Sequence, residues 1–126
     1  KKIIVLDGDG ALLMRLGALA VNAAYSPANI VHILFDNNAH ESTGGQFTVS
    51  GTVDYPALAR SCGYKKVVSA ITAESLGRVI TDAQAEGGLQ FIYVPIAQGA
   101  PATLGRPKIK PKDVAVRFYA LIGGKK

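Results

Sequence analysis

The sequence has little of what several classes of protein require. Its 126 residues include a single cysteine, Cys62, which excludes an internal disulfide framework and indicates a reducing compartment. It contains no recognisable signal peptide and no apolar run long enough to cross a membrane. From these absences we expect a cytoplasmic protein without a membrane partner.

Two classes of ligand also lack their usual signatures. The formal net charge is +5, but no alternation of aromatic and basic residues marks a nucleic-acid groove. Four of the positive charges belong to lysines at the two ends of the sequence: Lys1, Lys2, Lys125 and Lys126. The dinucleotide fingerprint Gly-x-Gly-x-x-Gly is absent, because Leu13 stands where its third glycine belongs. We therefore expect neither nucleic acid nor NAD as a ligand.

Length and composition predict one domain with one sizeable core. The chain is 48% hydrophobic and 18% charged, as folded proteins are. It lacks an initiator methionine and begins directly in a strand-like run. We expect residues 1–126 to form one domain, as a fragment of a longer protein or as a separate subunit.

Short apolar runs alternate with helical patterns along the chain. The runs typical of buried parallel strands are residues 3–6, 30–35, 66–70 and 91–96. Residues 37–53 and 97–110, rich in small and turn-forming residues, are predicted to be irregular. The alternation predicts a three-layer α/β/α fold with a mostly parallel sheet, similar to flavodoxin-like and Rossmann-like folds.

Caps and apolar spacing predict four helices. The first is expected to have one apolar face: Leu12, Leu16, Leu19 and Ala23. Asp54 and Thr72 begin two further helices, which end near Gly63 and Gly87. The inward side of the helix after Thr72 is predicted to be Leu76, Val79, Ile80 and Ala83. Pro111 begins the last helix, whose inward side is predicted to be Val114, Phe118 and Leu121.

The segment Asp7-Gly8-Asp9-Gly10-Ala11 lies between the first strand and the first helix. Its glycines let the backbone approach a ligand closely, and the free amides of a first helical turn attract phosphate. Because Asp9 would repel a phosphate, the segment requires a cation between them if it binds one. A tight turn with an aspartate cap explains this segment equally well on its own.

A second polar segment, Asp36 to Gln46, follows the second strand and reads DNNAHESTGGQ. Together with Gly8-Asp9-Gly10 it resembles the bipartite motif of thiamine-diphosphate enzymes, in which Gly-Asp-Gly precedes a paired asparagine by about two dozen residues. Here 25 residues, 11 to 35, separate the two halves. The pair is either Asp36 with Asn37 or Asn37 with Asn38, so the register stays open by one residue.

The longer pattern resembles the phosphonopyruvate decarboxylases within that family, and the sulfopyruvate decarboxylases more distantly. Residues 8–17, His40 and the segment Leu104-Gly105-Arg106-Pro107 also resemble that branch. The resemblance implies the thiamine diphosphate- and Mg²⁺-binding domain of an enzyme that converts phosphonopyruvate to phosphonoacetaldehyde and CO₂. A subunit of a sulfopyruvate or other 2-oxo acid decarboxylase is the alternative.

The resemblance also assigns roles to residues of the two segments. The implied metal ligands are the Asp9 carboxylate, the Asn37 amide oxygen and the Ala39 carbonyl oxygen. The backbone amides implied to bind the diphosphate belong to Gly8, Gly10, Ala11 and Leu12. Ser42 and Thr43 are expected to shape the cofactor site or simply to close turns. His40 is the candidate catalytic residue, as a phosphonate ligand or a proton carrier, whereas His32 is expected to be a hydrogen-bonded core histidine.

The resemblance further implies that this chain does not act alone. In the family, the glutamate that activates the cofactor lies on a separate pyrimidine-binding domain. We therefore expect an inactive isolated chain, whose partners are a small 2-oxo acid and a pyrimidine-binding domain of the same or another subunit. A homo-oligomer is expected for the complete enzyme. Arg106 is assigned either to an anion contact or to the surface.

Two other classes of function remain open at the level of sequence. Asp7-Gly8-Asp9-Gly10 also resembles the start of haloacid-dehalogenase-type phosphatases, in which Asp7 would be the nucleophile. Ala11 replaces the threonine usual there, and the downstream acidic pair is missing. A non-catalytic flavodoxin-like binding module would account for the fold, but it would not explain the paired motif or its spacing.

Overall fold

The computed structural model describes residues 1–105 and 107–123, so Arg106 and the assignment made for it lie outside the described residues. The strands are β1 (Ile3–Gly8), β2 (Ile30–Asp36), β3 (Ala39–His40), β4 (Gln46–Phe47), β5 (Lys66–Ser69) and β6 (Gln90–Pro95). The helices are α1 (Asp9–Met14), α2 (Ala18–Tyr25), α3 (Tyr55–Cys62), α4 (Ala73–Ala85) and α5 (Pro111–Ile122). A short 3-10 helix spans Ser50–Thr52.

Four strands form one parallel sheet in the order β1-β2-β6-β5. The central strands β2 and β6 are buried for most of their length, which explains their nearly continuous apolar sequences. Strands β3 and β4 pair separately as a small antiparallel hairpin within the segment predicted to be irregular. The prediction of a mostly parallel α/β sheet is confirmed.

Helices cover both faces of the sheet. On one face α1, α2 and α3 pack over a core that includes Leu19, Leu34, Tyr55 and Phe91. On the other face the predicted inward residues of α4 contact a second apolar cluster around Ile92. The chain therefore has the three predicted layers, and burial of apolar surface on both sides of the sheet stabilises them.

The prediction of a single helix after β1 is wrong, because this segment forms the two helices α1 and α2. Arg15 leaves the helical region with φ −136° and ψ 40°, and its amide donates to the Leu12 carbonyl oxygen at 3.0 Å. Gly17, a poor helix former, then precedes α2. Leu12 and Leu19 nevertheless enter the same core, and the other members of the predicted apolar face pack against it.

The predicted boundaries of the next two helices are confirmed. The Asp54 carboxylate accepts a hydrogen bond from the Ala57 amide at 2.9 Å, and α3 ends at Gly63, whose φ of +108° favours glycine. Thr72 caps α4 through a reciprocal bond with Ser75. These hydrogen bonds join residues close together in the sequence, which explains why the starts of both helices could be predicted.

Two segments predicted to be buried are exposed. Strand β1 is the edge of the sheet, and Ile4 and Leu6 are 43% and 67% exposed. Helix α5 begins at Pro111 as predicted, but the side predicted to face inward is wrong, because Val114, Phe118 and Leu121 are all exposed. Apolar spacing indicates that a segment has an apolar face, not which element covers it. Among the described helices, none is both long and apolar enough to cross a membrane.

Candidate functional site

The two polar segments meet at one cleft of about 260 Å³. Strands β1 and β2 are parallel neighbours, with Gly8 in register with Phe35, so their carboxyl ends deliver both segments to the same edge of the sheet. The residues that line the cleft are Gly8, Asp9, Gly10, Ala11, Phe35, Asn37, Ala39, His40, Glu41, Ser42 and Ile96. Most of the residues predicted for the site are in this set.

Asp9 is the buried acid of the cleft. It is 2% exposed, and its Oδ2 accepts a hydrogen bond from the Thr48 hydroxyl. Within residues 1–105 and 107–123, no lysine, arginine or histidine forms an ion pair with it. A buried carboxylate with so few partners loses much of its hydration, and a bound cation would compensate that loss.

The structure distinguishes the two asparagines. Asn37 lines the cleft, and its Oδ1 accepts a hydrogen bond from the Ala39 amide at 3.1 Å. Asn38 lies outside the lining set and adopts a left-handed backbone conformation, with φ +59°. Its carbonyl oxygen accepts from the Thr48 amide at 3.0 Å. Asn37 therefore lines the same cleft as Asp9, and Asn38 does not.

Asp36 supports the loop and does not line the cleft. It is 3% exposed and accepts hydrogen bonds from the Ser50 hydroxyl at 2.6 Å, the Tyr93 hydroxyl at 2.9 Å and the Asn38 amide at 3.1 Å. Burial, together with the bond to the Asp36 carboxylate and its negative charge, raises the pKa of Tyr93 to about 12. Tyr93 therefore stays a neutral donor, and Asp36 joins β2, β6 and the loop that carries the cleft residues.

His40 packs against the first segment. A methyl group added at Gly10 would lie 2.5 Å from Nδ1 and 2.4 Å from Cε1 of the His40 ring. The His40 carbonyl oxygen accepts hydrogen bonds from the amides of Thr43, Gly44 and Gly45, which closes the turn between β3 and β4. The backbone turn and the ring contact together hold this imidazole at the cleft.

Two of the predicted cofactor residues do not line the cleft. The Leu12 side chain is buried in the core, so the predicted role falls to its backbone amide, at the fourth position of α1. The Thr43 hydroxyl donates to the His40 carbonyl oxygen at 3.3 Å and thereby helps to close the turn. Ser42 does line the cleft.

Asp7 and His32 form a separate pair. His32 is 3% exposed, its Nε2 lies 3.3 Å from Oδ2 of Asp7, and its Nδ1 lies 3.4 Å from the Tyr64 hydroxyl. Burial lowers the pKa of His32, although Asp7 acts in the opposite direction. The prediction of a hydrogen-bonded core histidine is confirmed. Asp7 does not line the cleft, which argues against its use as the nucleophile of a phosphatase.

Sequence reasoning missed four residues around the site. Phe35 and Ile96 line the cleft because they lie near the carboxyl ends of neighbouring parallel strands, a position that the strand pattern could have indicated. Glu41 lies within the polar segment but had no assigned role. Thr48 reaches Asp9 from 39 residues away, and no signal in the sequence connects the two.

Comparison with known proteins identifies the family. Residues 1–94 match the family described as thiamine pyrophosphate enzyme, C-terminal TPP binding domain. The chain belongs to that family. Thiamine pyrophosphate is thiamine diphosphate by another name, so the resemblance found in the two polar segments is confirmed.

Relatives of this TPP-binding domain include named decarboxylases. Phosphonopyruvate decarboxylase of Streptomyces hygroscopicus is 48% identical over 94% of this chain and 29% of its own length. Phosphonopyruvate decarboxylase of Streptomyces viridochromogenes is 43% identical over 97% of this chain and 31% of its own length. Sulfopyruvate decarboxylase subunit beta of Methanothermobacter thermautotrophicus is 37% identical over 79% of this chain and 51% of its own length.

A solved structure shares the fold of the TPP-binding domain. It is an enzyme of Mycobacterium smegmatis described as thiamin diphosphate-dependent, with a TM-score of 0.63 and 18% sequence identity, over 79% of this chain and 18% of the other. The chain spans less than a third of the length of the two phosphonopyruvate decarboxylases that it matches.

The residues at the cleft fit a diphosphate held through a hard cation. No group of three or more His, Cys, Asp or Glu side chains within the described ranges could hold a metal ion. For a cation at this cleft, the ligands other than Asp9 would be amide or carbonyl oxygens, water and oxygens of the bound molecule. Mg²⁺ accepts such a set, since it is usually bound through one or two carboxylates together with phosphate oxygens. The buried carboxylate of Asp9, beside Asn37 and Ala39, offers this combination.

Proposed function

We propose that this chain is the diphosphate- and Mg²⁺-binding domain of a cytoplasmic thiamine-diphosphate-dependent decarboxylase, whose reaction converts phosphonopyruvate to phosphonoacetaldehyde and CO₂. The observation that carries the proposal is the convergence of Asp9, Asn37 and Ala39 on one cleft of a TPP-binding domain. Bound thiamine diphosphate supplies an electron sink for the loss of CO₂ from a 2-oxo acid.

The protein residues have separate tasks in this proposal. Asp9, Asn37 and the carbonyl oxygen of Ala39 hold Mg²⁺, and the amides of Gly8, Gly10, Ala11 and Leu12 bind the diphosphate. Ser42 and Thr43 shape the loop around it, and Ser42 lines the cleft. Asp9 is buried, so water competes weakly for the cation and the site stays ordered.

We propose that His40 contacts the substrate. Its ring packs on Gly10 at the cleft, where an imidazole can bind a phosphonate oxygen or carry a proton to or from the reacting carbon. The activating glutamate is proposed to come from a pyrimidine-binding domain of the same or another subunit. We further propose a homo-oligomeric enzyme, and an active particle with the mass of one subunit would contradict that assembly.

The substrate assignment rests on the relatives. The two phosphonopyruvate decarboxylases are 43% to 48% identical over nearly the whole chain, whereas the sulfopyruvate decarboxylase subunit is 37% identical over 79% of it. Sulfopyruvate and other 2-oxo acids are the alternatives. Comparing kcat/KM for phosphonopyruvate and sulfopyruvate in the assembled enzyme decides between them, and a preference for sulfopyruvate would contradict the assignment.

The cofactor site is tested by removing the buried acid. Calorimetric titration of the assembled enzyme with thiamine diphosphate should show binding that requires Mg²⁺, whereas the purified chain alone should bind weakly or not at all. Asp9→Ala should abolish that binding, because it removes the charged metal ligand. Glu74→Ala, which removes an exposed carboxylate on α4, is the matched control and should bind normally. Magnesium-independent binding, or normal binding by Asp9→Ala in the assembled enzyme, would contradict the proposal.

A further inference from the structure

We infer that Glu41 is a positioning residue that decides which end of the Asn37 side-chain amide faces the proposed metal position. This inference rests on the proposed function and adds a residue that lies outside the proposed ligand set. Glu41 lines the cleft, but its carboxylate is engaged by two hydrogen-bond donors of the protein.

The first donor is Asn37 itself. Its Nδ2 donates to Oε2 of Glu41 at 2.6 Å, while its Oδ1 accepts from the Ala39 amide at 3.1 Å. The two ends of an asparagine amide have nearly the same shape, so their partners decide how the amide is oriented. A carboxylate only accepts hydrogen bonds. Glu41 can therefore hold the nitrogen end and not the oxygen end, which leaves Oδ1 free to offer its second lone pair to a cation.

The second donor fixes Glu41 in place. The Gly99 amide, in the loop after β6, donates to Oε1 of Glu41. In the same loop, Nε2 of Gln98 donates to the backbone carbonyl oxygen of Asn37 at 3.0 Å. The loop after β6 therefore holds the Asn37 main chain directly and its side chain through Glu41. Partners of this kind orient metal ligands and influence metal affinity without touching the metal.

Glu41 is an exposed residue that is not part of the core, so its replacement leaves the fold in place. Glu41→Ala removes both acceptors and frees the Asn37 amide to rotate. Glu41→Gln has nearly the same size and lacks the charge, but its side-chain oxygen can still accept one hydrogen bond from Asn37. The Gln amide nitrogen can also donate to Oδ1 of Asn37, so Glu41→Gln should keep only part of the preference for one orientation.

The experiment measures metal binding directly in the assembled enzyme. Mn²⁺ replaces Mg²⁺, and electron paramagnetic resonance measures free Mn²⁺ during a titration with saturating thiamine diphosphate. We expect Glu41→Ala to weaken Mn²⁺ binding about tenfold, and Glu41→Gln to weaken it less. The Mg²⁺ concentration for half-maximal activity should rise in parallel, with kcat at saturating Mg²⁺ nearly unchanged. Glu74→Ala, with the same change of charge on α4, should match the unmodified enzyme.

The possible results separate this inference from the proposed function. Unchanged Mn²⁺ affinity in Glu41→Ala, beside metal- and cofactor-dependent activity of the unmodified enzyme, would overturn the role of Glu41 alone. An equal loss in Glu74→Ala would also overturn it, because removal of one negative charge anywhere on the chain would then be responsible. If the unmodified enzyme bound no Mn²⁺ in the presence of thiamine diphosphate, the proposed function and this inference would both be wrong.

Discussion

The His40 ring occupies the space where a side chain at Gly10 would lie. The nearest atoms to a Cβ at this position belong to the His40 ring, followed by Thr48 Cγ2 at 3.4 Å. Gly10, in the first segment, therefore faces His40 of the second segment and Thr48 just beyond it. A glycine in the first turn of α1 therefore serves the packing of His40 as well as the approach of a ligand to the backbone.

We predict that Gly10→Ala displaces the His40 ring and lowers kcat/KM of the assembled enzyme by about 100-fold, since a shift of about 1 Å in a catalytic group can have that effect. Steady-state kinetics with phosphonopyruvate measure the change. The matched control is Gly77→Ala on α4, where the added methyl group meets no atom within 4 Å. Normal kinetics in Gly10→Ala would mean that the ring position has no bearing on the reaction.

Thr48 and Glu41 show how the loop between β2 and α3 supports the two proposed side-chain ligands. Thr48 donates to Asp9, and Glu41 accepts from Asn37. The hairpin of β3 and β4 carries Thr48 back toward the cleft by pairing Ala39 with Phe47. This part of the chain, predicted to be irregular, is therefore ordered by hydrogen bonds within the loop and by bonds to Asp9 and to the loop after β6.

Helix α4 has a strong N-terminal cap and a well-packed inward side, but it also has a glycine, Gly77, in its interior. Thr72 and Ser75 form a reciprocal cap, and the inward side chains pack against the core. Gly77 lies on the exposed side of the helix, where an added Cβ would meet no atom within 4 Å. Glycine in a helix interior costs about 0.5–1 kcal/mol relative to alanine, because the unfolded backbone has more freedom to lose.

We therefore expect Gly77→Ala to raise the free energy of unfolding by about 0.5–1 kcal/mol. Urea denaturation followed by circular dichroism measures the difference. The denaturant dependence of the transition should stay the same, since the change buries no additional surface. A lower unfolding midpoint would contradict the prediction and would mean that the added methyl group is strained.

Stability of the whole molecule should depend on pH through His32. Burial lowers the pKa of His32 below its ordinary value of 6.5, so the folded state binds its proton less readily than the unfolded state. The stability contributed by neutral His32 is fully present above about pH 6.5. It is lost as the pH falls below that value toward the lower pKa of the folded state.

The measurement compares the unmodified chain with His32→Gln by urea denaturation between about pH 5 and pH 8. The contribution of one such group changes by at most about 1.4 kcal/mol per pH unit. We expect the stability of the unmodified chain to fall more steeply on acidification than that of the variant, which has no imidazole at this position. His40 is present in both proteins, so their difference isolates His32. Parallel pH profiles would contradict the prediction.

The exposure of β1 and α5 depends on how the whole molecule is arranged. Both segments have the apolar sequences of buried elements, and both formed as predicted. Their exposure could not be read from periodicity, because burial depends on neighbours that lie elsewhere in three dimensions. By contrast, the caps of α3 and α4 were predictable, since each involves residues only three positions apart.

The sequence by itself determined the alternation of strands and helices, the parallel sheet and the two segments that meet at the cleft. It could do so because period, capping and motif spacing are local properties of a chain. Only the tertiary structure showed that Asn37 and not Asn38 lines the cleft, separated Asp7 from Asp9, and brought Thr48 and Gly99 to their partners. Those contacts join residues up to 58 positions apart, and the packing of the sheet, helices and loops is what brings them within hydrogen-bonding distance.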